Sequence, residues 1–163
     1  MKITDIINAS APSLSFEVFP PKTSDKFESV RSAVNEIAKL SPSYMSVTYG
    51  AGGGTSQYTV QIAKGLNDMG VTALAHLTCI SSDRDNVRGM LAKLKEEGIE
   101  NILALRGDIL PDTDMSKLSY HYADELVREI RDFGGFCVGG ACYPEVHPDS
   151  ASKKEDIEGL KRK

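Results

Sequence analysis

A parallel α/β fold built from repeated β-α units is the class this sequence predicts, and three observations carry it. Short apolar runs alternate with amphipathic stretches five times along the 163 residues, the pattern of a parallel sheet with right-handed crossovers. Glycines stand where amphipathic stretches end, and Ser, Thr or Asp where they begin, as helix stop and start signals require. Each apolar run also leads into a polar or ionisable residue at its carboxyl end, the side on which parallel α/β folds bind ligands.

The elements follow in order. Residues 14–19 form a first strand, closed by Pro20-Pro21. Ser24 or Asp25 then caps a helix with Phe27, Val30, Val34, Ile37 and Leu40 at helical spacing. Residues 44–49 form a second strand. After a run of glycines, Thr55 caps a helix carrying Tyr58, Ile62, Leu66 and Met69, stopped near Gly70. Residues 71–78 form a third strand. Ser82 or Asp83 opens a helix with Val87, Met90, Leu91 and Leu94 inward, ended by Gly98, which suits a left-handed C-cap. The fourth strand, residues 101–105, runs straight into Arg106-Gly107-Asp108. A loop to about residue 119 leads to a helix with Leu126, Val127, Ile130 and Phe133, stopped by Gly134-Gly135. Residues 136–143 form a fifth strand, and a fifth helix begins at Ser150. Five such units fit an open doubly wound sheet of flavodoxin type. They equally fit the first five units of an eight-unit barrel, which takes ~250 residues.

Composition narrows the function. Hydrophobic content is 40%, charged content 26% and formal charge -4, as in one soluble globular domain. No basic block stands out, which argues against nucleic-acid or anionic-membrane surfaces; the terminal Leu160-Lys161-Arg162-Lys163 is too short to count. The first residues have no signal-peptide core, and no apolar run approaches the ~18 residues that would span a membrane. Cys79, Cys137 and Cys142 lack paired spacing, so they read as core thiols of a reduced, cytoplasmic protein, with no metal site.

The strand ends hold the candidate chemistry. They are Glu17; Thr48 and Tyr49; His76 and Thr78; Arg106 and Asp108; and Tyr143, Glu145 and His147. In a barrel all of these converge on one bowl. Alternation places Glu17 on the face opposite Phe16 and Val18, where a barrel interior would strip water from the carboxylate and favour the protonated form that a general acid needs. An ordinary ion pair with a basic neighbour is the other reading of Glu17. His76 and Cys79 do not make a ligand set for a metal, so His76 reads as a hydrogen-bonding residue. Gly52-Gly53-Gly54-Thr55 can cradle a phosphate on backbone N–H groups, but it lacks the lysine of a P-loop, and a tight turn explains it equally well.

Five segments then carry a family resemblance: Ser15-Phe16-Glu17-Val18-Phe19-Pro20-Pro21-Lys22, Ser46-Val47-Thr48-Tyr49-Gly50-Ala51-Gly52-Gly53, His76-Leu77-Thr78-Cys79, Ala104-Leu105-Arg106-Gly107-Asp108 and Tyr143-Pro144-Glu145-Val146-His147-Pro148. In order and spacing, from about residue 13 onward, they resemble the bacterial methylenetetrahydrofolate reductases. The resemblance implies a flavin-dependent TIM (βα)8 barrel. It implies that a hydride passes from NADH or NADPH to FAD and on to 5,10-methylenetetrahydrofolate, giving 5-methyltetrahydrofolate for one-carbon metabolism and methionine synthesis. It makes Glu17 the general acid and Asp108 the carboxylate beside flavin and folate. Thr48, His76, Leu105, Arg106, Gly107, Asp108, Tyr122, Ala123, Tyr143 and His147 fall on FAD positions, and Asp156, Arg162 and Lys163 on positions near the FAD phosphates and ribityl chain. Against that family the chain reads as a single catalytic domain, residues 1–163, without the last three β-α units. The chain then reads as a truncated or incomplete version of a full-length enzyme, or as a piece that a second copy or a partner subunit closes into a barrel. The alternative is a truncated flavin- or folate-binding module, active only in an assembly or as the full-length protein.

Overall fold

Five apolar runs pair edge to edge in the order in which the chain makes them. In the computed structural model, which describes residues 1–9, 11–49, 56–109, 111 and 113–163, they are β1 (Ser15–Val18), β2 (Tyr44–Val47), β3 (Ala73–Thr78), β4 (Asn101–Leu105) and β5 (Cys137–Gly140). All neighbours are parallel, and the sheet order is β1-β2-β3-β4-β5. A doubly wound sheet reverses its order at a switch point; this one never does. The order is that of consecutive units in a barrel wall, so the choice left open above falls to a partial barrel.

Among the described residues six α-helices accompany the strands: α1 (Ile3–Ile7), α2 (Phe27–Ala38), α3 (Ser56–Asp68), α4 (Arg84–Glu96), α5 (Ala123–Phe133) and α6 (Lys153–Arg162). Lateral register sorts the side chains onto two faces. Val18, Met45, Val47, Ala73, Ala75, Leu77, Ile102 and Ala104 are all buried and share the face packed by the helices. Their chain neighbours Glu17, Ser46, Leu74, His76, Thr78, Leu103 and Leu105 take the opposite face, because successive side chains point to opposite sides. Val87, Met90, Leu91 and Leu94 of α4, with Leu126, Val127 and Ile130 of α5, cover the first face as expected.

Several boundaries differ from expectation for local reasons. Leu14 and Phe19 lie outside β1 and are 54% and 68% exposed, because β1 is an edge strand with a neighbour on one side only. β5, the other edge, stops at Gly140. Ser24 and Asp25 do not cap α2; they form a 3-10 turn, Ser24–Lys26, and Lys26 precedes the helix without a side-chain cap. Leu40 and Met69 follow the last residues of α2 and α3 and are exposed. The Asp83 cap holds, accepting from Asn86 N–H at 2.7 Å, and Gly98 adopts φ +70°; the last helix starts at Lys153 and not at Ser150, with Ser152 accepting from Glu155 N–H at 3.2 Å. The Thr55 cap and the Gly52-Gly53-Gly54 cradle lie outside the described residues. Among the cysteines only Cys79 is a core thiol; Cys137 is half-buried on the edge strand and Cys142 is exposed beyond it.

Helix α1 was not anticipated, and it is held at the amino ends of the strands by one buried amide. Asn101 is 2% exposed. Its Oδ1 accepts from Ile3 N–H at 2.9 Å, while Nδ2 donates to the carbonyls of Met1 and Ala73 at 3.0 and 3.1 Å. Three bonds from one buried side chain tie the start of the chain and α1 to β3 and β4. Asn101→Ala should therefore cost about 2–4 kcal/mol, read as a lower urea midpoint with an unchanged slope.

Candidate functional site

Parallel strands of a barrel wall deliver whatever follows them to one rim. Here the delivered residues form two groups. On β1–β3, Ser46 Oγ donates to Glu17 Oε2 at 3.3 Å, and His76 Nε2 stands 3.6 Å from the same oxygen. The side chain of His76 is 8% exposed and that of Glu17 is 48% exposed. The desolvation expected of Glu17 is therefore not met in this sheet. Its strand is an edge, so nothing on the far side of β1 covers it. Burial pushes the His76 imidazole below its ordinary value, against the upward pull of the Glu17 carboxylate.

The second group lines a cleft of about 650 Å³ bounded by the end of β4, the start of α5, the β5–α6 connection and α6. Leu105, Arg106, Gly107, Asp108, Tyr122, Ala123, Tyr143, His147, Asp156, Arg162 and Lys163 all line it. Thr48 and His76 do not; they sit with Glu17 on the β1–β3 side. Thr48 N–H donates to Val18 O at 2.9 Å, which extends the β1–β2 pairing by one residue. Gly107 has φ +88°, and a Cβ there would meet Thr78 Cβ at 3.1 Å and Ile80 Cγ2 at 3.2 Å. Only glycine fits that turn, which is why the strand can end in Arg-Gly-Asp with both charged side chains at the lip.

Arg106 is 18% exposed and ion-paired with Asp149 at 2.6 Å, while its Nε donates to Gly107 O at 3.2 Å. That guanidinium holds the Asp149 carboxyl below the usual carboxylate range. Asp149 N–H in turn donates to His147 Nδ1 at 3.1 Å, and Tyr143 meets the His147 ring edge-on at 4.9 Å. Asp156 accepts from His147 N–H at 3.1 Å and Ser150 Oγ at 3.2 Å, so it fastens the loop to the first turn of α6. Lys163 Nζ donates to Ala141 O at 2.7 Å. At the start of α5, Glu125 accepts from the N–H groups of His121 and Tyr122. Burial acts to raise its pKa, but these two bonds outweigh it and leave it below the ordinary value. Burial also pushes the Cys79 thiol up to about 12, which leaves it inert.

Three of these residues escaped the sequence reading: Ser46, Asp149 and Ser150. Ser46 was findable, since alternation from Thr48 puts it on the inner face. Asp149 and Ser150 belong to an irregular loop with no periodicity to flag them. Among the described residues no cluster of His, Cys, Asp and Glu could hold a metal.

The sequence profile of the methylenetetrahydrofolate reductases matches residues 2–163. The chain belongs to that family. It is 38% identical to the 5,10-methylenetetrahydrofolate reductase of Escherichia coli (strain K12) over 151 residues, 92% of this chain and 50% of that one. It is 41% identical over 161 residues to methylenetetrahydrofolate reductase 2 of Schizosaccharomyces pombe, covering 92% of this chain and 25% of that one. The chain spans about half the length of the bacterial relatives it matches. Among solved structures, a thermostable aldo-keto reductase superposes with a TM-score of 0.56 over 95% of this chain and 55% of its own, at 12% identity. That likeness concerns the fold alone. It agrees with a barrel wall in a family member whose strands run in unbroken order.

The state of His76 makes stability depend on pH. Unfolded, the imidazole protonates near 6.5; folded, it does so only at lower pH. Between those points the unfolded chain binds more protons, so its stability is full above 6.5 and falls as pH drops toward the folded value. Urea midpoints on either side of pH 6.5 should show this slope, and His76→Asn should reduce it.

Proposed function

We propose that this chain contributes five of the eight β-α units of a cytoplasmic (βα)8 barrel that reduces 5,10-methylenetetrahydrofolate to 5-methyltetrahydrofolate with NADH or NADPH through FAD. The observation that carries this is the set of polar groups at the strand ends: Glu17, Ser46 and His76 on β1–β3, and Arg106 and Asp108 on the β4 lip, which lines a cleft of about 650 Å³. No helix among the described residues is long and apolar enough to cross a membrane.

The residues present fit FAD. Among the described residues His76 Nε2 is a buried polar atom without a hydrogen-bond partner, which suits a ligand atom at the inner face. Gly107 brings backbone to the lip where a side chain would intrude. Of the carboxylates lining the cleft, Asp124 is paired with Arg128 at 2.8 Å, Asp149 with Arg106, and Asp156 with the loop, while Asp108 and Glu155 make no ion pair among the described residues. Arg162 makes no ion pair among the described residues, and Lys163 gives one bond to a carbonyl with two N–H donors to spare. Both suit the cofactor's diphosphate.

Bound there, the flavin supplies a two-electron relay that carries a hydride from the nicotinamide to the methylene carbon of the folate. The chain's own groups do the rest. Glu17 gives its proton to the folate nitrogen that leaves the methylene carbon, which opens the five-membered ring to an iminium. Asp108, exposed at the lip, favours that cation electrostatically. Leu105, Tyr122, Ala123, Tyr143 and His147 frame the cofactor. Overall the folate takes up one proton and one hydride, and the nicotinamide leaves oxidised. The product would feed one-carbon metabolism and methionine synthesis.

The half-exposed Glu17 and the two sheet edges favour a second reading, a flavin- or folate-binding module completed only by a second copy or a partner subunit. An absorption spectrum of the purified chain with FAD, then with NADH, separates the two. Bound flavin that bleaches with NADH supports the reductase; bound flavin that stays oxidised supports the module; a folded chain that takes up no flavin counts against both. In the active protein, Glu17→Gln should slow folate reduction by about 10²–10⁴-fold while nicotinamide still bleaches the flavin.

A further inference from the structure

Glu17 meets its two polar neighbours through a single oxygen. Ser46 Oγ donates to Oε2 at 3.3 Å, and His76 Nε2 faces that same atom from 3.6 Å. Oε1 has no hydrogen-bond partner among the described residues. The asymmetry comes from register. Glu17 lies beside Ser46, and Ser46 beside Leu74, so His76 stands one side-chain repeat further along β3 on the same face. Both neighbours are out of water, at 8% exposure for Ser46 and 7% for His76. A buried Nε2 without a partner is costly, and the oxygen that Ser46 holds faces it from 3.6 Å. Ser46 is not there for packing: Met45 and Val47, on the other face of β2, are fully buried and supply that strand's share of the core.

We propose that Ser46 is a positioning residue that holds Glu17 by Oε2, on the side walled by the buried His76 ring, so that Oε1 is the oxygen that delivers the proton to the substrate. This rests on Glu17 being the general acid. The hold survives the transfer. Before it, Oε2 is the carbonyl oxygen of a neutral acid and accepts from Ser46; afterwards it is a carboxylate oxygen and accepts more strongly. The Oε1–H bond breaks, an N–H bond forms on the folate nitrogen, and the charge stays on a carboxylate that is already bonded. Glu17 recovers its proton from solvent through its 48% exposed side. With Ser46 bonded to Oε2 and the buried His76 ring beside it, the free oxygen keeps one direction, and positioning of that kind enters the rate directly.

Ser46 is the residue to change, because His76 also falls at a cofactor position and its loss would mix two effects. In the whole protein, the rate of folate-dependent flavin oxidation is divided by the rate of nicotinamide-dependent flavin reduction. Ser46→Ala should lower this ratio about tenfold or more, and Ser46→Thr, which keeps the hydroxyl, should restore most of it. An unchanged ratio in Ser46→Ala, or no recovery in Ser46→Thr, overturns the proposal. If the unsubstituted protein shows no folate step, the general-acid reading fails, and the hold on Oε2 is read separately by NMR titration of His76. Ser46→Ala frees the carboxylate and should move the His76 titration further down, with Ser46→Thr returning it. A His76 titration identical in all three proteins overturns the hold as well.

Discussion

Lateral register across β1, β2 and β3 is the constraint on which the rest of the structure depends. Because Glu17, Ser46 and Leu74 lie side by side, a polar row and an apolar row run through the same three strands on opposite faces. A slip of one residue in any strand would put a carboxylate or an imidazole under the helices and lift Val18, Met45 or Ala75 into the bowl. Burying an unpaired charge there is far more costly than any local gain. Hydrophobic burial of one face therefore sets the geometry of the chemical groups on the other. The site is accurate because the core is.

The rim of β4 and β5 is organised differently, by charge rather than by pleat. Arg106 is carried by a strand end and Asp149 by a loop, and their 2.6 Å contact crosses from one to the other. Asp156 then fastens the same loop to α6 through two bonds. These charge-assisted contacts are short and directional, although Asp149 is 54% exposed. They give an irregular segment a defined shape without a hydrophobic core of its own. A comparable arrangement outside the bowl, Glu129 bonded to both Arg84 and Arg88 at 2.6 Å, joins α4 to α5. There the burial of Glu129 opposes ionisation, and the two guanidinium groups outweigh it and lower its pKa.

Both outer strands, β1 and β5, have a paired neighbour on one side within this sheet. The consequence is graded across the strands. Met45, Val47, Ala75, Ile102 and Ala104, on interior strands, are fully buried. Cys137 and Val138 on β5 are half-buried, and Glu17 on β1 is half-exposed. Val18, on the helix-packed face of β1, is buried all the same, so edge position and sheet face together separate these groups.

What the sequence determined by itself is local or periodic. Helical spacing of Val87, Met90, Leu91 and Leu94, the Asp83 cap and the left-handed Gly98 were legible because 3.6-residue repeats and cap chemistry act within a few residues. The alternation around Glu17 was legible for the same reason, and so was the set of polar strand ends. The sequence left open whether five units form a wound sheet or a barrel wall, since strand order is a relation between segments far apart in the chain. It also did not reveal α1, whose five residues are too few to show a period and are held by Asn101 from 98 positions away. Nor did it reveal the Arg106–Asp149 contact or the hold of Ser46 on Glu17 Oε2. Those depend on where different strands and loops meet, and that is decided by burial and hydrogen-bond satisfaction over the whole fold.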